Sequence, residues 1–201
     1  VNTTGGVTLS GIISSTGAYG ITKGGTGSLT LSGNNSYTGT TTINAGTLKL
    51  GATGDSTNTP LGTTGAGTVV ASGATLDLAG YTLGTAEALS LAGTGSSGSN
   101  GALINSGSAA TYSGLLTLTN SATIYSANNI TLSNVGTITG STFGLTLDGT
   151  ATGSSLASII GTGAGTVTKA GTGTWTLSGA STYTGLTTIS DGTLKLGANG
   201  G

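Results

Sequence analysis

The chain has 201 residues, of which 41 are Gly and 44 Thr, with four Lys, no Arg, five acids and no His, Cys or Met. A net charge of −1 gives no field to steer nucleic acid or an anionic membrane, no apolar run approaches the ~20 residues of a membrane helix, and the lack of Cys removes disulfides and most zinc chemistry. Disordered chains combine low hydrophobicity with high net charge, whereas here the mean hydropathy is positive and Leu, Ile, Val and Ala are spread evenly, which points to an ordered, repetitive scaffold.

Taken in chain order, the apolar residues recur with a period of two. Val7-Thr8-Leu9 alternates, and Leu29-Thr30-Leu31 and Thr47-Leu48-Lys49-Leu50 follow. Further along come Thr75-Leu76-Asp77-Leu78, Leu89-Ser90-Leu91, Leu116-Thr117-Leu118 and Phe143-Gly144-Leu145-Thr146-Leu147. Period two predicts strands with Leu on one face and Thr, Ser, Lys or Asp on the other. The runs are short and end at Gly, Asn or Ser, which is strand and turn punctuation. No stretch holds a helical period, and Gly at this density costs a helix about 1 kcal/mol per position relative to Ala.

One repeat is plain. Gly20 to Gly51 and Thr166 to Gly197 lie 146 residues apart and share 21 identities in 32 positions. Lys23 matches Lys169, Tyr37 matches Tyr183 and Leu50 matches Leu196. Ile12-Ile13 corresponds upstream to Ile159-Ile160 with one residue of slippage. Short strands with Gly turns suit a sandwich, a barrel or a solenoid. One Trp, one Phe and six Tyr are few for a sandwich core of this length. A narrow solenoid needs only stacked aliphatic side chains, each rung bonding to the next at ~4.8 Å. About ten rungs of roughly 20 residues are expected. The whole of 1–201 reads as one solenoid segment of a longer array, with repeat units 20–51 and 166–197. The two units are expected at equivalent positions on the rod, with Lys49 and Lys195 both pointing outward.

The shared core TGxxTLSGxxxYTGxTTIxxGTLKLG, at Thr26 to Gly51 and Thr172 to Gly197, resembles the passenger-associated β-strand repeat of bacterial autotransporter proteins. The resemblance is strong over the two repeat units and loose elsewhere. It implies a right-handed parallel β-helix, export across a Gram-negative envelope and display at the cell surface. The family's C-terminal membrane barrel is not in this chain, so the segment itself is not expected to insert in a membrane. With no initiator Met and no basic leader, the sequence reads as a piece of a larger precursor. Within the repeat, Leu29, Leu31, Ile43, Leu48 and Leu50 are expected in the core. Gly33, Gly39, Gly46 and Gly51 are expected at corners, and Asn34, Asn35 and Asn44 at turns and in polar ladders. Tyr37 and Tyr183 are expected to cover a corner of the column with the hydroxyl toward water.

Chemistry-bearing patterns are few. Gly93 to Gly98 matches GxGxxG, but no helix signal follows it, so it reads as a turn. A β-helix lyase or glycosidase needs clustered carboxylates, usually with Arg or Lys. Asp55, Asp77, Glu87, Asp148 and Asp191 are isolated in sequence and are expected on solvated strand faces and turns. Thr-x-Thr pairs such as Thr40-x-Thr42, Thr117-x-Thr119 and Thr137-x-Thr139 are too irregular for one flat ligand-binding array. No catalytic, metal or cofactor residue is therefore expected, and the chain reads as a non-enzyme. The favoured role is a structural stalk or adhesive segment of a large secreted surface protein. The alternative is a building block of an extracellular filament or sheath stacked end to end. The expected partners are flanking solenoid repeats or identical chains, with surface carbohydrate or other cells left open and nucleic acid excluded. Neither end reads as a cap, so the rod is expected to continue or to associate head to tail.

Overall fold

A β-branched or aliphatic residue alternating with a small hydroxyl residue suits a pleated strand that is dry on one side and wet on the other. In the computed structural model, which describes residues 1–197, the chain follows that pattern throughout. Every strand pairs in parallel with one about a turn away, and no helix occurs among the described residues. The result is a β-solenoid of about nine turns, one fewer than the length suggests.

Three faces make up the wall. The first carries Ile21–Lys23, Thr41–Ile43, Thr68–Val70 and Leu89–Gly93, then the start of Leu116–Ser126. The second carries Gly6–Leu9, Ser28–Leu31, Gly46–Leu50, Ala74–Asp77 and Leu103–Ile104. It continues through the end of Leu116–Ser126 into Leu145–Gly149, Val167–Lys169 and Thr187–Ile189. The third becomes regular from Ala110–Tyr112 onward, through Ile130–Leu132, Ser154–Leu156, Thr174–Leu177 and Thr193–Leu196. Leu116–Ser126 turns a corner by an irregularity between Leu118 and Ala122, and so joins the first two faces.

In-register stacking makes the core a set of aliphatic columns. Leu29, Leu48, Leu76, Leu103, Ile124 and Leu147 stand one above another, and each is fully buried. Tyr112, Leu132, Leu156 and Leu177 form a second column on the third face. All five core residues expected in the first repeat are inside. Turn lengths vary: the chain takes a markedly longer path from Leu48 to Leu76 than from Leu29 to Leu48, yet each step climbs one rung. The extra length is absorbed by loops at the corners while the columns stay in step.

The two repeat copies keep the same local structure but lie on different faces. Lys23 belongs to the first face, where it pairs with Ile43. Its counterpart Lys169 belongs to the second, stacked between Leu147 and Ile189 in the column that includes Leu29. Likewise Ser28–Leu31 lies on the second face and its counterpart Thr174–Leu177 on the third. The spacing between the copies thus carries the second one face further around the rod. This corrects the expectation of equivalent positions: the copies do not sit directly above one another.

Candidate functional site

The repeat positions its polar residues through three devices. The first is the lysine that follows two strand residues. Alternation in Ile21-Thr22-Lys23 puts Lys23 in phase with Ile21, facing inward, and the side chain is fully covered. Its ammonium reaches the turn and donates to the carbonyls of Gly24 and Gly25 at 2.8 Å each, and to Ala45 of the next rung at 3.1 Å. Lys169 does the same with Ala170, with Gly171 at 2.7 Å and with Asp191 at 3.3 Å. Burial lowers both ammonium pKa values from their ordinary position, and Asp148 and Asp191 partly restore that of Lys169. These inward lysines correct the expectation that Lys lies on the wet face. Lys49 and Lys195, by contrast, do point outward.

The second device is a tyrosine–threonine pair four residues apart. The Tyr37 and Thr41 hydroxyls lie 2.6 Å apart, and those of Tyr183 and Thr187 2.7 Å. Tyr37 is fully buried, so its hydroxyl meets Thr41 and not water as expected. Burial raises its pKa well above the phenol range. The third device is the residue two before the tyrosine. Asn35 accepts from the Ile13 amide at 2.8 Å and donates to the Pro60 carbonyl at 2.8 Å, which links three successive turns. Ser181 takes its place in the second copy and accepts from the Ile160 amide at 3.1 Å.

Among the glycines expected at corners, Gly46 has a positive φ of 65°. A Cβ there would stand 2.4 Å from the Gly27 carbonyl oxygen. Gly192, its counterpart, has φ 67° and the same 2.4 Å approach to the Gly173 carbonyl oxygen. Gly33 and Gly39 admit no Cβ because the neighbouring backbone passes within 2.4 Å of the position.

The acids split in two ways. Asp55 is exposed, and its Oδ1 accepts from the amides of Thr57 and Asn58 at 2.8 and 2.7 Å, which holds its carboxyl below the usual range. Asp148, near the end of the strand Leu145–Gly149, and Asp191, in a bend, each accept from the following Gly amide. Asp77 and Glu87 are buried, against expectation. Asp77 accepts from the Ala79 and Ser106 amides and the Ser106 hydroxyl, with the Lys49 ammonium 3.7 Å away. Glu87 has one carboxyl oxygen bonded by Thr68 at 3.2 Å, while its Oε2 has no partner among the described residues. Burial raises its pKa to about 7. The phenols facing it belong to Tyr37 and Tyr112, and the Tyr112 hydroxyl donates to the Glu87 carbonyl at 2.8 Å. The two acids are served by different residues, and no group of three metal-ligating side chains occurs among the described residues.

The Gly93–Gly98 stretch is a turn, as expected: three of its glycines have positive φ and the Ser96 carbonyl accepts from the Ser99 amide. Its Ser96 amide donates to the Thr75 hydroxyl, which docks the turn on the second face. Outward threonines do line up in single file, as with Thr123, Thr146, Thr168 and Thr188, but Tyr125 and Asp148 stand beside them and break any flat array.

The end of the second repeat copy is more open than the matching part of the first. Thr187–Ile189 is exposed throughout and Leu196 is 71% exposed, whereas Thr41 and Ile43 are buried and Leu50 is 1% exposed. An open cavity of about 330 Å³ there is lined by Leu177, Ser181, Tyr183, Thr187 and Leu196 with two glycines.

The passenger-associated-transport-repeat family model matches residues 21–50 and 167–196, so the chain carries two copies of this repeat. No curated protein and no solved structure matches the chain.

Proposed function

We propose that a chain carrying two passenger-associated-transport repeats in one continuous parallel solenoid serves as a non-catalytic stalk segment of a secreted, surface-displayed passenger. The observation that carries this reading is the unbroken column from Leu29 to Leu147, sealed turn by turn by in-register bonding. Such a column resists bending and sets length by the number of turns, at ~4.8 Å per turn. The buried lysines support it, since each spans the gap between its own turn and the next. The inward placement of Asp77 and Glu87 in separate networks supports a scaffold role for the acids over a chemical one.

The test is length and inertness together. Rod length from small-angle scattering should be about 43 Å for nine turns. Removing whole turns should shorten it in ~4.8 Å steps. Beads coated with the segment should hold no polysaccharide or host cell above a scrambled control. Saturable glycan retention would replace the stalk with an adhesive segment, and turnover of a glycan lost on changing Asp77 or Glu87 would replace it with an enzyme.

A further inference from the structure

Glu87 reaches the interior on an extended run. Leu83, Thr85, Glu87 and Leu89 are buried, and Gly84, Ala86 and Ala88 between them are exposed. Glu87 is 1% exposed, and its Oε2 and the Thr85 hydroxyl are enclosed without a partner among the described residues. Strands hold much of the surrounding shell. In the turn that follows, Tyr112 donates to the Glu87 carbonyl, and Gly114 packs on that carbonyl too closely to admit a Cβ. In the turn before, Thr68 bonds Oε1 and is itself paired with Thr41.

The loop 51–67 touches this group at two points. It joins Gly46–Leu50 to Thr68–Val70 and belongs to neither strand. Its buried stretch Thr59 to Gly62 covers the Tyr37–Thr41 pair. There the Leu61 carbonyl accepts from the Thr41 hydroxyl at 2.8 Å, and Gly62 lies on the Tyr37 ring. Asn35 holds the Thr59 and Pro60 carbonyls, and the Thr63 amide donates to the Tyr37 carbonyl at 3.1 Å. Nearer its start, the loop's Thr53 carbonyl accepts from the Gly84 amide at 3.1 Å, and the Asp55 backbone packs on Gly84. The loop thus ties the tyrosine–threonine pair to the run that carries Glu87.

No cation in this shell offsets a charge on Glu87. The salt bridge among the described residues, Lys49 to Asp77, lies on the second face. The titratable groups facing Glu87 are the Tyr37 and Tyr112 phenols, which burial keeps neutral. On the loop, the exposed Asp55 carboxyl is engaged by Thr57, Asn58 and Asn34. A neutral Glu87 is compatible with this enclosure, whereas an ionised one requires water. The strands admit water only by breaking their ladders, but the loop opens by losing a few local bonds.

We propose that the loop 51–67 is a proton-controlled lid, held shut while Glu87 keeps its proton and released to admit water once that proton is lost. Burial sets the sign by raising the Glu87 pKa to about 7 from the ordinary 4.5. The closed form binds the proton more tightly, so closure is strongest below about pH 4.5 and weakens as pH rises through about 7. The lid stands apart from the column from Leu29 to Leu147, so the stalk reading does not depend on it.

The test is residue-resolved hydrogen exchange on the full chain, with each rate referred to its intrinsic value at that pH. The amides of Asn35, Thr63 and Gly84 report the lid, because each bonds to the loop or from it. Their protection should fall about tenfold or more between about pH 5 and about pH 8. The amides of Ile130–Leu132, on the third face, should keep theirs. Glu87→Gln should abolish the pH dependence at the three reporters. Leu61→Ala, which leaves Glu87 in place, should lower their protection at both pH values and keep the ratio. Protection that does not change with pH overturns the proposal, as does an equal fall in Glu87→Gln. A fall shared equally by Ile130–Leu132 also overturns it, because the whole rod rather than the lid would then be opening.

Discussion

Glu87 places an ionisable group where water is absent, and its effect on stability has a definite sign. Its folded pKa of about 7 lies above the ordinary 4.5, because burial disfavours the charged form. The folded state therefore binds the proton more tightly than the unfolded one. The contribution is fully present below about pH 4.5 and is lost as pH rises through about 7. The loss amounts to at most on the order of 3 kcal/mol by pH 8. Urea titrations at pH 4.5 and 8 should show that fall, and Glu87→Gln should flatten it. A pH-independent wild type would contradict a buried, proton-bearing Glu87. The lysines stabilise by a different route, supplying donors that the turn carbonyls lack. Lys23→Met keeps the stem and removes the ammonium, leaving the carbonyls of Gly24, Gly25 and Ala45 without it. A cost of about 1–3 kcal/mol is expected from urea midpoints, and Lys23→Arg should not fully restore stability in a site shaped for one compact ammonium.

At the scale of the strand and turn, equivalent positions in the two copies act as internal controls. Leu50 and Leu196 have the same neighbours in sequence, yet one is covered by the next turn and the other is not. Leu50→Ala should cost about 2–4 kcal/mol and Leu196→Ala less than about 1 kcal/mol, read from denaturation midpoints. Equal costs would mean that the turn above Leu50 contributes little. Gly46→Ala should cost more than about 1 kcal/mol, since it forces both a positive φ and a backbone clash. The same comparison shows what is legible in advance. Leu29, Leu31, Ile43, Leu48 and Leu50 announce the dry face because alternation and hydrophobicity agree there. Lys23 and Glu87 mislead because the two signals disagree. Phase puts Lys23 with Ile21 and Glu87 with Leu89, while charge argues for water. Phase wins where turn carbonyls or a retained proton meet the charge. Tyr37 misleads for a different reason. Its partner Thr41 is four residues on, but the Pro60–Leu61 lid that buries the pair is not foretold by the repeat.

For the whole molecule, the repeat spacing reads as a vertical superperiod and instead carries a rotation by one face. Nothing in the sequence signals that rotation. The turns between the copies differ in length and lack a repeat of their own, as the unequal steps from Leu76 to Leu103 and from Leu103 to Ile124 show. The rod depends on contacts between adjacent turns, so damage in one turn should be felt most by its neighbours. Hydrogen exchange on a Leu76→Ala chain should loosen Gly46–Leu50 and Leu103–Ile104 before Thr174–Leu177. Uniform loosening would argue for a single globular unit.

The most direct test of one continuous solenoid is a distance along a single column. The chain has no Cys, so spin labels can be placed at Thr22 and Thr139, both exposed on the first face. Pairing links Thr22 through Thr42, Val69, Ser90 and Thr117 to Thr139 in five steps. Pulsed dipolar spectroscopy should give one narrow distance near about 24 Å, five steps of ~4.8 Å, and Thr42 in place of Thr22 should shorten it by one step. A broad distribution, or a distance that does not shorten between the two pairs, would contradict the stacked solenoid.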